Sequence, residues 1–293
     1  MEDKLLTYEQ AFDLVQRGLA VMKNDGKFTT FKYHRRAMYD YLWHSVPQLM
    51  ECRGVVFCSN TKELVQAAPR KSFNYLENDY WWKDVPLHEP VYIDKKLNGY
   101  MACATAYKGE LVVSTTGSTT SEYAKWAKEL LIKQPLTLDF VICEEASALF
   151  EVIVPQDPHI VKEKMGVHLL GSRYKSDGRY RPLCDEDDVI TLAEAIAKAE
   201  IDRGEGFMVY RVSDKNCLSP CKLKTPYYVG KKKLMRMSAK NIEIMYKDSF
   251  LIGAQLPAMW YTAPEYIVQT YTKEEWLSFD DQQRRVFLEQ LKG

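Results

Sequence analysis

The chain carries no net charge: 40 Lys and Arg balance 40 Asp and Glu over 293 residues. No global field draws it onto nucleic acid or an anionic membrane, so any polyanion site has to be a local cluster of cations. Long apolar runs are also missing. No stretch approaches a membrane span, and Met1 to Gln10 is charged and lacks the apolar core of a signal peptide. Cysteine is sparse and scattered, 7 in all. The closest pair, Cys217 and Cys221, has neither Cys-x-x-Cys spacing nor a His-x-x-x-His partner. That favours reduced core thiols over zinc or disulfides, and a reducing compartment such as the cytosol. There is no internal repeat and no low-complexity tract. What remains is an ordinary globular composition, 46% hydrophobic and 27% charged, long enough for one large domain and a smaller one.

Read in order, the chain alternates strand and helix signals. Thr7-Tyr8-Glu9-Gln10 is a capping-box start, and Phe12, Val15, Leu19 and Met22 follow at helical spacing up to Gly26. Strands are predicted over 27–33, 54–58 and 63–68, with a turn at 59–62. An aromatic loop runs from Glu77 to Pro90. The apolar run ending at Lys95-Lys96 meets Asn98-Gly99, a dipeptide that tolerates positive φ and predicts a hairpin into the strands at 101–107 and 111–114. Ser118-Thr119 with Glu122 predicts a helix to about Ile132. Further strands are predicted over 138–142, 149–154, 167–170, 206–211 and 221–224, with a helix capped by Thr191 and Glu194. After Pro226 the period becomes helical, clearest over 231–246 and 273–291. The fold class is therefore α+β, with a β-rich body over 1–228 and a small helical C-terminal domain over 229–293.

Several charges interrupt these strands where a plain core needs none. Arg53 precedes a strand, Lys71 follows Pro69-Arg70, Glu151 stands inside Leu149-Phe150-Glu151-Val152, and Glu205 lies between Gly204 and Gly206. Lys222 and Lys224 alternate, so both point to one face of a strand. Buried charge is costly unless paired or bound to a ligand. Lysines and an arginine converging with two carboxylates suit a triphosphate: cations for the phosphates, a carboxylate for a sugar hydroxyl or Mg²⁺. A lysine fixed among cations, such as Lys96, has its pKa lowered and becomes a candidate amine nucleophile. The alternative for each charge is a cross-sheet pair or the solvated face of an edge strand.

The ordered set Lys96-Leu97-Asn98-Gly99, Phe150-Glu151-Val152, Glu205-Gly206-Phe207 and Lys222-Leu223-Lys224 resembles the covalent nucleotidyltransferase superfamily of ligases and capping enzymes. Glu51-Cys52-Arg53-Gly54, Lys71-Ser72-Phe73-Asn74, Phe150 to Val161 and Lys222 to Val229 narrow the resemblance to RNA ligases of the T4 RNA ligase 1 type, over roughly Phe31 to Val229. The resemblance implies an antiparallel-sheet adenylation domain and an ATP-dependent enzyme joining RNA 3′-hydroxyl and 5′-phosphate ends, and it suggests a nicked tRNA as the substrate. Lys96 would carry AMP. Glu151 would bind the ribose, and Lys222 and Lys224 the phosphates. Glu205 would orient Mg²⁺ or Mn²⁺, and Arg53, Lys71, Tyr228 and Tyr33 would contact nucleotide. The protein is expected to be a monomer, cytoplasmic (in the host cytosol if phage-encoded).

Three departures stand out. Asn98 replaces the family's Asp before the glycine. Thr116 stands where T4-type enzymes have a lysine. Lys240-Asn241 replace an acidic pair in the tail. Competing readings are an impaired RNA-end binding protein of the same fold and a capping-type guanylyltransferase; the latter, like DNA ligases, needs a C-terminal β-barrel, which the helical period after Pro226 opposes. Lys231-Lys232-Lys233 with Arg236 reads either as an RNA-backbone patch or as a solvated basic turn.

Overall fold

The computed structural model describes residues 5–77, 82–134, 143–157, 159–183 and 189–291. Alternating apolar residues give three sheets among them. The first, in the order β1-β2-β3-β4, joins β1 (Ala20–Asn24), β2 (Phe28–Tyr33), β3 (Arg53–Cys58) and β4 (Leu64–Gln66). The second, in the order β12-β6-β13-β14-β5, joins β5 (Phe73–Asn74), β6 (Pro90–Lys95), β12 (Val189–Thr191), β13 (Gly206–Arg211) and β14 (Cys221–Lys224). The third, in the order β11-β10-β9-β7-β8, joins β7 (Tyr100–Tyr107), β8 (Glu110–Thr115), β9 (Ala146–Ile153), β10 (Gly166–Tyr174) and β11 (Tyr180–Pro182). Pairing is antiparallel throughout except between β14 and the two-residue β5, which run parallel. The architecture is α+β, as the alternation of the sequence predicts.

The second and third sheets each bury one face under a helix. Val91, Phe207, Val209, Cys221 and Leu223 pack against Leu192, Ala195 and Ala199 of the helix Leu192–Ile201. Ala102, Ala104, Phe150 and Val152 pack against Ala127 and Leu131 of the helix Glu122–Ile132. The period of two sends the intervening residues to the opposite faces. There Leu149, Met208 and Tyr210 line a cleft between the two sheets. From Pro226 to Leu291 the described chain is helical. These helices close around Trp260, Trp276, Leu288 and Ile160, the last coming from the β9–β10 connection. No helix is long and apolar enough to cross a membrane.

Tertiary structure departs from the local signals at several points. The first helix covers only Tyr8–Gln16. Its Thr7–Gln10 capping box is present, but the N–H of Leu19 returns to the Leu14 carbonyl and that of Gly18 to Val15. That is a Schellman stop with Gly18 at φ +69, and it frees Ala20–Asn24 to pair with β2. The helix predicted from Ser118-Thr119 is capped instead by Ser121, because Thr115 and Ser118 bridge across the end of β8. The stretch 231–246 breaks where Ser238 caps a new helix. The stretch 273–291 breaks at Phe279, after which Asp280 accepts the Gln283 N–H. The strand predicted over 138–142 lies outside the described residues. The hairpin predicted at Asn98-Gly99 does not form. β6 pairs with β12 and β13, whereas β7 pairs with β8 and β9, so 96–99 is a crossover from one sheet to the other. The actual two-residue hairpin joins β7 to β8 through Lys108 (φ +50) and Gly109 (φ +78), the dihedral signature of a type I′ turn.

Candidate active site

The crossover brings Lys96 into the cleft. Its backbone N–H donates to the Gly206 carbonyl at 2.8 Å, fixing it against β13. The side chain is 20% exposed, against 55% for Lys95, which points to Glu163. The cleft encloses about 820 Å³, part of it open to solvent, and its walls include Arg53, Asp94, Lys96, Glu151 and Lys222. Arg53, Lys96, Glu151 and Lys222, far apart in the chain, thus share one space.

Glu205 joins this space from β13's entry. One oxygen lies 2.9 Å from Lys96 Nζ and 3.9 Å from Lys224 Nζ. The other accepts from Asn98 Nδ2 at 2.9 Å. Asn98 Oδ1 in turn accepts the N–H groups of Ile160 (2.9 Å) and Val161 (3.0 Å). Two backbone donors fix the orientation of the amide, so its NH₂ must face Glu205. Glu151 is buried, and its Oε1 accepts the Gly99 N–H at 2.8 Å. Gly99 is required there by close approach: a Cβ would fall 2.4 Å from the Val152 carbonyl oxygen. Burial raises the Glu151 pKa, opposed chiefly by Lys96.

Cationic crowding is strongest on β14. Burial, then Lys71, Arg53, Lys96 and Lys224, pull the Lys222 ammonium down to about 6. Burial and Arg53 pull Lys71 to about 8. Lys71 Nζ donates to the Ser72 carbonyl and sits 4.4 Å over the Phe73 ring. Lys224, lowered by burial against the pull of Glu205, lies 5.2 Å over the ring of buried Tyr228. Tyr228 is held in place by its N–H to Thr225 Oγ1, the cap of the helix Pro226–Met235. Burial and mutual crowding hold these amines below their ordinary range, and a polyanion seated among them would supply the counter-charge they lack.

Tyr33 falls apart from this set. It meets Trp43 edge-on at 5.1 Å and lines a second concavity. The basic run of the tail is not an open patch: Lys231 is buried against Glu289, Lys233 donates to the Gln255 carbonyl, and Arg236 pairs with Asp281. Trp82 is a core anchor donating to the Ser219 carbonyl; Trp81 lies outside the described residues. Thr116 packs against β3, where a Cβ on Gly54 would fall 2.7 Å from its Cα. Asp94, Met208 and Tyr210 line the cleft without having been singled out in the sequence. The alternation of β13 carried the signal for the last two. A further trio was not singled out: buried Glu51 pairs with Arg70 (2.8 Å) and Arg173 (2.7 Å), and both arginines line the cleft. Among the described residues no three His, Cys, Asp or Glu converge, and six cysteines are free.

Two mostly antiparallel sheets thus face a lysine-bearing cleft, with a helical C-terminus beside them. Two solved structures of an archaeal ATP-dependent RNA ligase have this fold. Form 1 aligns at TM-score 0.51 with 14% identity over 94% of this chain and 75% of that one. Form 2 aligns at TM-score 0.52 with 14% identity over 97% and 76%. No curated protein sequence matches. A family model described as RNA ligase, of the T4 type, matches residues 51–195, so about half of the chain is similar to that family of RNA ligases. The matched stretch contains Arg53, Lys71, Lys96 and Glu151 and ends before Glu205, Lys222 and Lys224.

Proposed function

We propose that the chain joins RNA 3′-hydroxyl and 5′-phosphate ends through an adenylated Lys96. The observation that carries this reading is the position of Lys96: in the cleft, 2.9 Å from Glu205 and walled by Arg53, Glu151 and Lys222. In the first step the Lys96 amine attacks the α-phosphorus of ATP. A P–N bond forms and the bond to pyrophosphate breaks. AMP then passes to the RNA 5′-phosphate, and attack by the 3′-hydroxyl releases it. Little covalent work falls to the protein beyond Lys96; positioning and charge neutralisation do the rest. Arg53, Lys71, Lys222 and Lys224 neutralise phosphates, Glu151 takes a ribose hydroxyl, and Tyr228 orders Lys224. Residues 1–228 form the adenylation domain and 229–293 the helical one, in a monomer.

Mg²⁺ binds through one or two carboxylates together with substrate phosphates. With no cluster of three potential ligands among the described residues, the chain fits a metal shared with the nucleotide rather than held in a protein cage. Glu205 is the carboxylate that would hold it, and the ion would supply further charge neutralisation.

Incubating the protein with α-labelled ATP and Mg²⁺ tests the reading. Label should appear on the intact protein and be absent from Lys96→Ala, and Lys222→Ala or Lys224→Ala should impair labelling far more than Lys95→Ala. No label at any pH favours a non-catalytic RNA-end binding protein, and label from GTP favours a guanylyltransferase. A gel comparison of nicked tRNA stem-loop with linear single strands then assigns the substrate; a broken anticodon loop is the substrate the resemblance suggests.

A further inference from the structure

The second concavity, lined by Val21, Lys32, Tyr33, His34, Arg35 and Met38, lies outside the nucleotide site. Two large rings stand open beside it. Tyr39 is 73% exposed and Tyr41 70% exposed, with Met38 next to them. Tyr41 holds φ +50, a conformation that bulky residues rarely adopt and that concentrates at functional sites. Exposed rings lose hydrophobic stabilisation unless something covers them.

The charge of the surface says what covers it. From 32 to 46 the chain has Lys32, Arg35 and Arg36 against a single acid, Asp40. That acid is taken up by Arg36 at 3.2 Å. In a chain of zero net charge this is a local excess of cations interleaved with aromatic rings. An unpaired nucleic-acid strand uses both, phosphates on the cations and base faces on the rings.

The surface is also continuous with the nucleotide cleft. Lys32 stands opposite Arg53 in the β2–β3 ladder, and Arg53 lines the cleft. Behind them Tyr33 abuts Trp43, Trp43 abuts Phe73 at 5.4 Å, and Lys71 caps Phe73. We infer that Tyr39 and Tyr41, with Lys32 and Arg35, seat the single-stranded RNA that flanks the end being joined, the bases stacking on the two tyrosines and the backbone tracking the cations toward Arg53. This rests on the ligase reading above.

The test uses the full chain and a fluorescently labelled, 5′-phosphorylated single-stranded RNA, read by anisotropy across a salt series. Tyr39→Ala combined with Tyr41→Ala should weaken binding by about fivefold or more per ring, the lower end for loss of a base–aromatic stack. The corresponding Phe variants should bind like the parent. Lys32→Gln and Arg35→Gln should each reduce the slope of log Kd against log salt by about 0.7. Labelling by α-labelled ATP should be unchanged in the double Tyr variant, whose side chains are exposed and are not among the cleft's lining. Unchanged RNA affinity in that variant, or equal affinity for a blunt RNA duplex, overturns the inference. Absence of ATP label on the parent protein overturns the ligase reading instead, and anisotropy reports the RNA surface in either case.

Discussion

The substitution Asn98→Asp replaces one amide nitrogen by a carboxylate oxygen and restores the residue that the family pattern carries. By that pattern it should be tolerated. The geometry gives the opposite expectation. Asn98 Oδ1 is committed to two backbone N–H groups, so the new oxygen must take the place of Nδ2, 2.9 Å from Glu205. Two unit charges at that separation repel by ~6 kcal/mol at an effective dielectric of about 20. Loss of the hydrogen bond to a charged acceptor adds about 1.5–3 kcal/mol. Lys96, 2.9 Å from Glu205, offsets part of this, and the pair limits the rest by holding one proton between them, at about 1.4 kcal/mol per pH unit above the ordinary carboxyl pKa, leaving a net cost on the order of 3 kcal/mol. At a few degrees per kcal/mol for a chain of this size, the midpoint should fall by roughly 6–12 °C.

The cost is pH-dependent, and its sign is fixed. Two carboxylates in contact share a proton, so the pair's pKa in the folded variant rises above its unfolded value. The stability of the protonated pair is present at low pH and lost as pH rises through the raised pKa. The deficit should therefore be small near pH 4.5 and largest by pH 8. Asn98→Ala loses all three hydrogen bonds but adds no charge, so its deficit should not change with pH over that window. Thermal unfolding of the ATP-free protein from pH 4.5 to 8 separates the two. An Asp variant that melts with the parent at pH 8, or whose deficit is flat with pH, would refute the placement of Asn98 between Glu205 and the 160–161 backbone.

Three further outcomes follow from the same site. Lys222→Met should stabilise the ATP-free protein at pH 7 by ~2–4 kcal/mol while abolishing efficient labelling. With the folded pKa at about 6 and the unfolded value at its ordinary 10.5, the unfolded parent binds more protons between them, and parental stability should climb with pH across that window; the variant should lose the slope. Triphosphate binding should return charge to Lys222, so calorimetry near pH 7.5 in buffers of different ionisation enthalpy should detect proton uptake on ATP binding, absent in Lys222→Met. Gly99→Ala, whose Cβ would collide with the Val152 carbonyl, should lose labelling and cost about 1–3 kcal/mol in chemical denaturation. Arg173→Ala should cost about 3–5 kcal/mol by taking one of buried Glu51's two cationic partners and the donor to the Gly178 and Ala68 carbonyls; a loss under 1 kcal/mol would deny Arg173 its structural role.

Much of the architecture was legible residue by residue. Capping boxes at Thr7–Gln10 and Thr191–Glu194 mark helix starts where they stand, since a cap is satisfied within one turn. The period of two places Cys221 and Leu223 in the core and Lys222 and Lys224 away from it. Charges set into apolar runs pointed to Glu151 and Glu205 because burying them demands a partner. Local signals misled where two outcomes cost about the same over a short span. Leu19 and Met22 continue a helical spacing, yet a glycine stop and a waiting strand edge on β2 win.

Asn98-Gly99 shows the limit most plainly. By itself the dipeptide favours a hairpin, and nothing within ten residues opposes it. The turn is overruled because β6 finds β13 and β7 finds β9, and the Asn98 amide finds partners 62, 63 and 107 residues away. Sequence alone determined which residues would be buried and which charges would need company, because those are properties of period and composition. Only the folded chain decided which charges met, since convergence of Arg53, Lys96, Glu151 and Lys222 depends on sheet pairings that no local window contains.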